Sequence, residues 1–176
     1  MKTLLILFIA GLLGANGSDY KMDFDSEPKW TITNDGVMGG LSKGKAFGEG
    51  GNLIFEGFIS LDNNGGFSWA KSPYQSLDLS DKTKVKIKYK SDDRGYDLTF
   101  ETPEAQYVAC LKKRLEGTGG KWKVIEVDLE DCVYYFMGQT SGKSFTDRDK
   151  VQNVGFLLAD KAEGNFHLEV AYIEFF

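Results

Sequence analysis

Two short runs concentrate the glycines and small polar side chains from which a chain can build a ligand cradle. The first is Trp30-Thr-Ile-Thr-Asn34-Asp35-Gly36-Val37-Met38-Gly39-Gly40-Leu41-Ser42. Its glycines allow backbone conformations closed to other residues, and Asn34 and Asp35 can hydrogen-bond the loop's own backbone. Such a loop either turns the chain or offers its amides to a ligand or anion. It is not a P-loop, because no Gly-Lys-Ser/Thr follows at the required spacing. No strand-to-helix unit follows it either, which excludes the dinucleotide fingerprint. The second run is Leu61-Asp62-Asn63-Asn64-Gly65-Gly66-Phe67-Ser68-Trp69. It reads as a hairpin tip, or as a sugar site in which Asn63 and Asn64 bind hydroxyls beside Trp69 as a stacking platform. Arg94, in the polar turn 91–95, completes the candidate ligand set. Further aromatics that either stack on a ligand or fill the core are Tyr74, Tyr107, Tyr134 and Tyr135.

The residues argue against an enzyme. The single histidine, His167, falls at an outward position of a strand, and nothing local supplies the buried acid and nucleophile of a Ser-His-Asp set. The 26 acidic residues offer many carboxylate pairs, and the sequence selects none. Asp23, Asp25, Glu27 and the Asp78/Asp81 region are oxygen-rich, but they form no EF-hand loop. The cysteines are Cys110 and Cys132. If 107–113 pairs with 122–128 about a turn at 117–118, Cys110 lies opposite Ile125. Cys132 then stands roughly 23 Å further along an extended strand, beyond the reach of about 7 Å that a disulfide allows. Both thiols are therefore expected to stay reduced.

Strands must position these residues. Leu53, Phe55, Ile59 and Leu61 alternate with Ile54, Glu56, Phe58 and Ser60, with Gly57 interrupting the inner row. Val85, Ile87 and Tyr89 alternate with Lys84, Lys86, Lys88 and Lys90. Tyr96, Leu98 and Phe100 alternate with Asp97, Thr99 and Glu101, and Phe166, Leu168 and Val170 with His167 and Glu169. Further strands are expected at 107–113, 122–128 and 154–159. The separators 63–66, 91–95 and 117–120 carry turn chemistry, and no long period-3.6 stripe follows Ser18. Seven or more short strands at this spacing predict an all-β sandwich or barrel.

Residues 1–17 pair Lys2 with an apolar run of about 12 residues and small residues at Ala15 and Gly17, the pattern of a secretory signal peptide. Spanning a bilayer takes about 20 residues. Residues 18–176 then form a single domain, expected to be an exported (periplasmic or secreted) monomer. Removing Lys2 and no acid takes the net charge from −5 to −6. So acidic a chain is not expected to bind nucleic acid.

Trp30, the stretch Asn34 to Ser42 and the stretch Asn63 to Phe67 together resemble the complex I intermediate-associated protein 30 family. Weaker matches follow in order: Arg94-Gly95-Tyr96, Trp122, Gly138, Phe166-His-Leu168-Glu169 and Ile173. The resemblance implies a galactose-binding-like, jelly-roll β-sandwich. No cofactor is expected; a structural calcium, held in some sandwiches of this architecture, is the alternative by fold analogy alone, with no residue assigned to it. Two departures stand out. Lys71 stands where the family often has Arg, losing the planar fork that binds two oxygens at once. Asp128 to Phe136 replaces the Pro-Phe and Phe-x-Pro landmarks expected after the Trp122 strand. Mitochondrial members are associated with assembly of respiratory complex I, whereas this chain carries an export signal. The functional expectation is an exported, non-catalytic, carbohydrate-binding module. It would stack sugar on Trp69 or Tyr74 and hold it with Asn63, Asn64 and the Asp35 loop. The alternative is an assembly or scaffolding protein that binds another protein.

Overall fold

The structure is a computed structural model; it describes residues 19–22, 24–25, 29–103, 109–136, 139–141 and 145–176, with 109, 110 and 141 as backbone only. The proposed signal peptide, Tyr107 and Gly138 lie outside the described residues, as do Asp23 and Glu27.

Among the described residues thirteen strands form two antiparallel sheets. The first sheet runs in the order β3 (Lys43–Glu49), β4 (Asn52–Ile59), β13 (Gly164–Phe175), β6 (Lys84–Ser91), β9 (Lys123–Asp128), with β1 (Tyr20–Lys21) also paired to β13. The second runs β11 (Gln139–Ser141), β10 (Val133–Phe136), β8 (Ala109–Leu115), β7 (Tyr96–Glu101), β12 (Asn153–Leu158), β5 (Ser68–Lys71), β2 (Thr31–Asn34). The fold is the jelly-roll sandwich that the alternating pattern and the resemblance predicted.

The period-two rows decide which face each sheet buries. In β6, Val85, Ile87 and Tyr89 are fully buried while the intervening lysines point outward. Phe166, Leu168 and Val170 of β13 face the same core; a register shift between Val170 and Tyr172 then brings Ile173 and Phe175 inward. Phe55 meets Phe166 edge-on at 4.9 Å between ring centres, and Tyr96, Phe100 and Phe156 close the core from the opposite sheet. Each such ring contributes about 1.5–3 kcal/mol by leaving water.

Three expectations need correction. Leu61 does not continue the inner row of β4; the strand ends at Ile59, and Leu61 is 42% exposed. In β7 both rows are buried, because side chains of neighbouring strands lie over Asp97, Thr99 and Glu101. The third correction concerns topology. β8 and β9 do not form a hairpin, and neither do β4 and β5 about the 63–66 turn: β8 pairs with β7 and β10, β9 pairs with β6 in the other sheet, and β4 and β5 belong to different sheets. The segment 116–122 therefore crosses between sheets. Its glycines serve close packing on the 91–95 turn, where a Cβ on Gly117 would lie 2.4 Å from the Asp93 carbonyl oxygen, and the Gly120 amide donates to the Ser91 carbonyl at 2.7 Å. Cys110 consequently stands opposite Tyr135, not Ile125. Cys132 lies three residues from Tyr135, about 10 Å along the strand, which a disulfide cannot bridge. Its thiol is free, and burial pushes its pKa up to about 12.

Candidate binding groove

The two glycine-rich runs meet at one carboxylate. Asn34 ends β2, and Asp35 opens a short 3-10 turn, Asp35–Met38. The Asp35 side chain is completely buried. Its Oδ1 accepts the Ser42 amide at 3.0 Å; its Oδ2 accepts the Ser42 hydroxyl, the Gly66 amide at 2.6 Å and the Phe67 amide at 3.3 Å. Burial pushes this carboxyl's pKa up, but the bonds from Ser42, Gly66 and Phe67 outweigh it and hold the pKa below the ordinary value. Gly40 and Gly65 leave room for the carboxylate: a Cβ would lie 2.4 Å from Asp35 Cγ at Gly40 and 2.6 Å from Oδ2 at Gly65. Asn63 takes a left-handed conformation (φ 54°) and donates to the Gly39 carbonyl at 3.1 Å, tying the second run to the first. Asn34 accepts the Gly44 amide at 3.2 Å. Of the two readings of these runs, the structural one accounts for Asp35, which has no surface to offer a ligand. Asn64, also left-handed (φ 58°), remains exposed.

β5 carries the chain from this knot across the outward face of the seven-stranded sheet. Register places Thr31, Lys71, Gly155, Thr99 and Lys112 in one cross-strand row, and Thr33, Trp69, Leu157, Asp97 and Arg114 in the next. Trp69 reaches past Gly155 of β12, and its indole N–H donates to Thr99 Oγ1 of β7 at 2.9 Å. Phe67 and Leu157 pack against the ring. The Lys71 ammonium sits 3.8 Å from a ring centre of Trp69 and 2.8 Å from Glu101 Oε1. Trp69 is thus 5% exposed, which corrects the expectation of an open stacking platform. On the far side, Asp97 pairs with Lys112 at 2.8 Å and Arg114 at 3.4 Å, and Lys112 lies over the Tyr135 ring at 3.8 Å.

Beyond Lys71 the face opens into a groove of about 480 Å³. Its floor and one wall come from Lys71, Glu101, Thr31 and Thr33; Ser72, Pro73 and Tyr74 form the lip, and Gln152 and Asn153 the opposite wall. Tyr74 is 71% exposed. The Asn153 amide donates to the Ser72 carbonyl at 2.7 Å, fixing the lip to the wall. An open aromatic beside hydroxyls, amides, an ammonium and a carboxylate is suited to a polyhydroxylated ligand.

The remaining candidates do not gather here. Arg94 clamps the 160–165 loop: Nε reaches Asp160 Oδ2 at 2.8 Å, Nη2 reaches Asp160 Oδ1 and the Ala162 carbonyl, and Nη1 the carbonyls of Gly164 and Asn165. All three guanidinium nitrogens are engaged, so its role is structural. Asn63 and Asn64 lie at the opposite end of β5 from Tyr74. Tyr134 packs against the core. His167 faces outward on the other sheet, 2.9 Å from Glu56. Among the described residues no three His, Cys, Asp or Glu side chains cluster as metal ligands. Asp25 instead accepts the Gly51 amide at 3.0 Å, and Asp78 the Ser80 amide at 2.9 Å. Sequence reasoning missed Thr31, Thr33, Gln152 and Asn153 altogether; for Glu101 the only signal was its outward place in the alternation of β7.

The two sheets and the groove define a galactose-binding-like jelly-roll sandwich. Residues 19–170 match the complex I intermediate-associated protein 30 family, and the chain belongs to it. Among solved structures, one similar in fold is a family 11 carbohydrate-binding module from Clostridium thermocellum in complex with a β-1,3-1,4-mixed-linked tetrasaccharide. It is 15% identical, covering 89% of this chain and 94% of that one, at a TM-score of 0.64. The family 11 module of a cellulosomal cellulase of Clostridium thermocellum is 16% identical over 89% and 94%, at 0.63. An agarase matches at 10% identity over 87% of this chain and 24% of its own, at 0.56. No curated protein matches the sequence.

Proposed function

We propose that the protein is a non-catalytic carbohydrate-binding module that acts outside the cytoplasm and holds its glycan in the groove beside Tyr74. The observation that carries this reading is the exposed Tyr74 ring at the lip of a groove lined by polar side chains. A sugar presents an apolar face to such a ring and hydroxyls to the groove's amides, hydroxyls and charged pair. The tetrasaccharide held by the family 11 module of similar fold agrees with it in kind. Extracytoplasmic action is supported by the signal-like residues 1–17. Its check is the N-terminus of the exported protein, expected at residue 18.

A glycan-array screen tests the binding claim. Tyr74→Ala is expected to abolish binding while leaving the melting temperature unchanged. Silence of the folded wild-type protein across a broad array overturns the reading.

One observation favours the alternative, an assembly protein binding a protein partner. Val37, Met38, Leu41 and Leu61 are all exposed beside the Asp35 knot, which holds their two loops together. Met38→Asp would then abolish partner capture and leave glycan binding intact.

A further inference from the structure

Resting on the carbohydrate reading, we infer that the groove selects neutral glycans, and that the Lys71–Glu101 pair on its floor reads two adjacent hydroxyls of one sugar ring. The inference starts from unused hydrogen-bonding capacity. An ammonium has three donors, and Lys71 directs one to Glu101 Oε1 at 2.8 Å. A carboxylate has two oxygens with about four acceptor sites, and among the described residues Glu101 Oε2 has no protein partner. Both side chains are largely buried, at 16% and 9% exposure, yet both line the groove. A buried ion pair is a poor source of stability, because desolvating the charges offsets most of their attraction. What this pair adds is a donor and an acceptor side by side and already partly stripped of water. Adjacent ring hydroxyls match it: one oxygen accepts from Lys71 while the next hydroxyl donates to Glu101.

Charge balance sets the class. The groove holds one cation and one anion, already paired. A uronate or sulfate would find no uncompensated cation, and Glu101 would repel it. The chain's net charge of −5 adds a long-range penalty against polyanions. Trp69 also supplies a reporter. The Lys71 ammonium lies 3.8 Å from its ring, so a ligand that engages Lys71 must alter indole emission.

The test compares the purified protein's affinity for mixed-linkage β-glucan and agarose oligosaccharides, as neutral probes, with that for alginate and polygalacturonate. A neutral probe is expected to bind at least about tenfold more tightly than any acidic one, the scale of one hydrogen bond to a charged group. Binding should shift tryptophan emission in the wild type and not in Trp69→Phe. The double variant Lys71→Met/Glu101→Gln should lose about tenfold or more on the neutral probe. Equal or tighter binding of an acidic probe, abolished by Tyr74→Ala, overturns the inference and leaves the carbohydrate reading standing. Unchanged neutral affinity in the folded double variant does the same. Because the neutral-against-acidic comparison uses wild-type protein, it decides the matter even if the variant fails to fold. No binding of any glycan removes the carbohydrate reading, and the inference with it.

Discussion

The two ends of β5 are each organised by a buried carboxylate, and the two are used differently. At one end Asp35 accepts hydrogen bonds from the Ser42 amide and hydroxyl and from the Gly66 and Phe67 amides, with glycines pressed against it so that nothing else can approach. At the other end Glu101 has a single side-chain partner, Lys71, and opens onto a groove. A carboxylate with both oxygens hydrogen-bonded within the chain and no exposed surface is a folding device. One with acceptor capacity left and a route to solvent is equipped for a ligand. Sequence motif density points the other way, since the glycine-rich, most distinctive segment surrounds the saturated acid.

The largest expected effect follows from the saturated end. Asp35→Ala leaves buried amide donors unmatched and should cost about 3–5 kcal/mol, as for breaking a buried charged network. Denaturant unfolding measures it, and a loss under about 1 kcal/mol would mean the knot is not the folding device described. Gly40→Ala comes next. Its Cβ would sit 2.4 Å from Asp35 Cγ, and the resulting overpacking should cost about 1–3 kcal/mol in the same measurement.

Acid sharpens the contrast. The pKa of Asp35 is depressed in the folded state, as is that of Asp160, where burial pushes up but the Arg94 guanidinium and the backbone amide hydrogen bonds, that of Ala162 among them, together outweigh it. A depressed carboxylate contributes stability fully above its unfolded pKa of about 3.9 and loses it as pH falls through the folded value. The melting temperature should therefore drop as pH is lowered below about 4. Asp35→Asn should flatten that drop. An unchanged pH profile in this variant would remove Asp35 from the account.

The sequence showed the strands better than their partners. Alternation located β4, β6, β7 and β13, because a sheet with one buried face writes its period into the side chains. Partner choice was hidden at β8 and β9, because Gly117 to Gly120 suits a hairpin and an inter-sheet crossing equally well. The candidate site was legible in fragments. Tyr74 was named, Lys71 stood out only as a departure from a family pattern, and Gln152 and Asn153 gave no signal. The groove is assembled from β2, β5, β7 and the start of β12, so no single window of sequence contains it. The burial of Asp35 was equally hidden, since an acid among glycines reads as an exposed loop residue until the second loop is folded onto it.

The smallest effect is the most discriminating. If the Lys71–Glu101 pair belongs to ligand recognition, the fold should barely notice its removal. Replacing both members by uncharged residues of similar size avoids stranding a buried charge, and such replacements are often neutral or stabilising. Lys71→Met/Glu101→Gln should therefore change unfolding free energy by no more than about 1 kcal/mol in either direction. Single substitutions should cost more, since each leaves the other charge buried without its partner. A double-mutant cycle read by denaturant unfolding separates the two cases. If the double variant is as unstable as Asp35→Ala, both carboxylates are folding devices, and the distinction between the two ends of β5 fails.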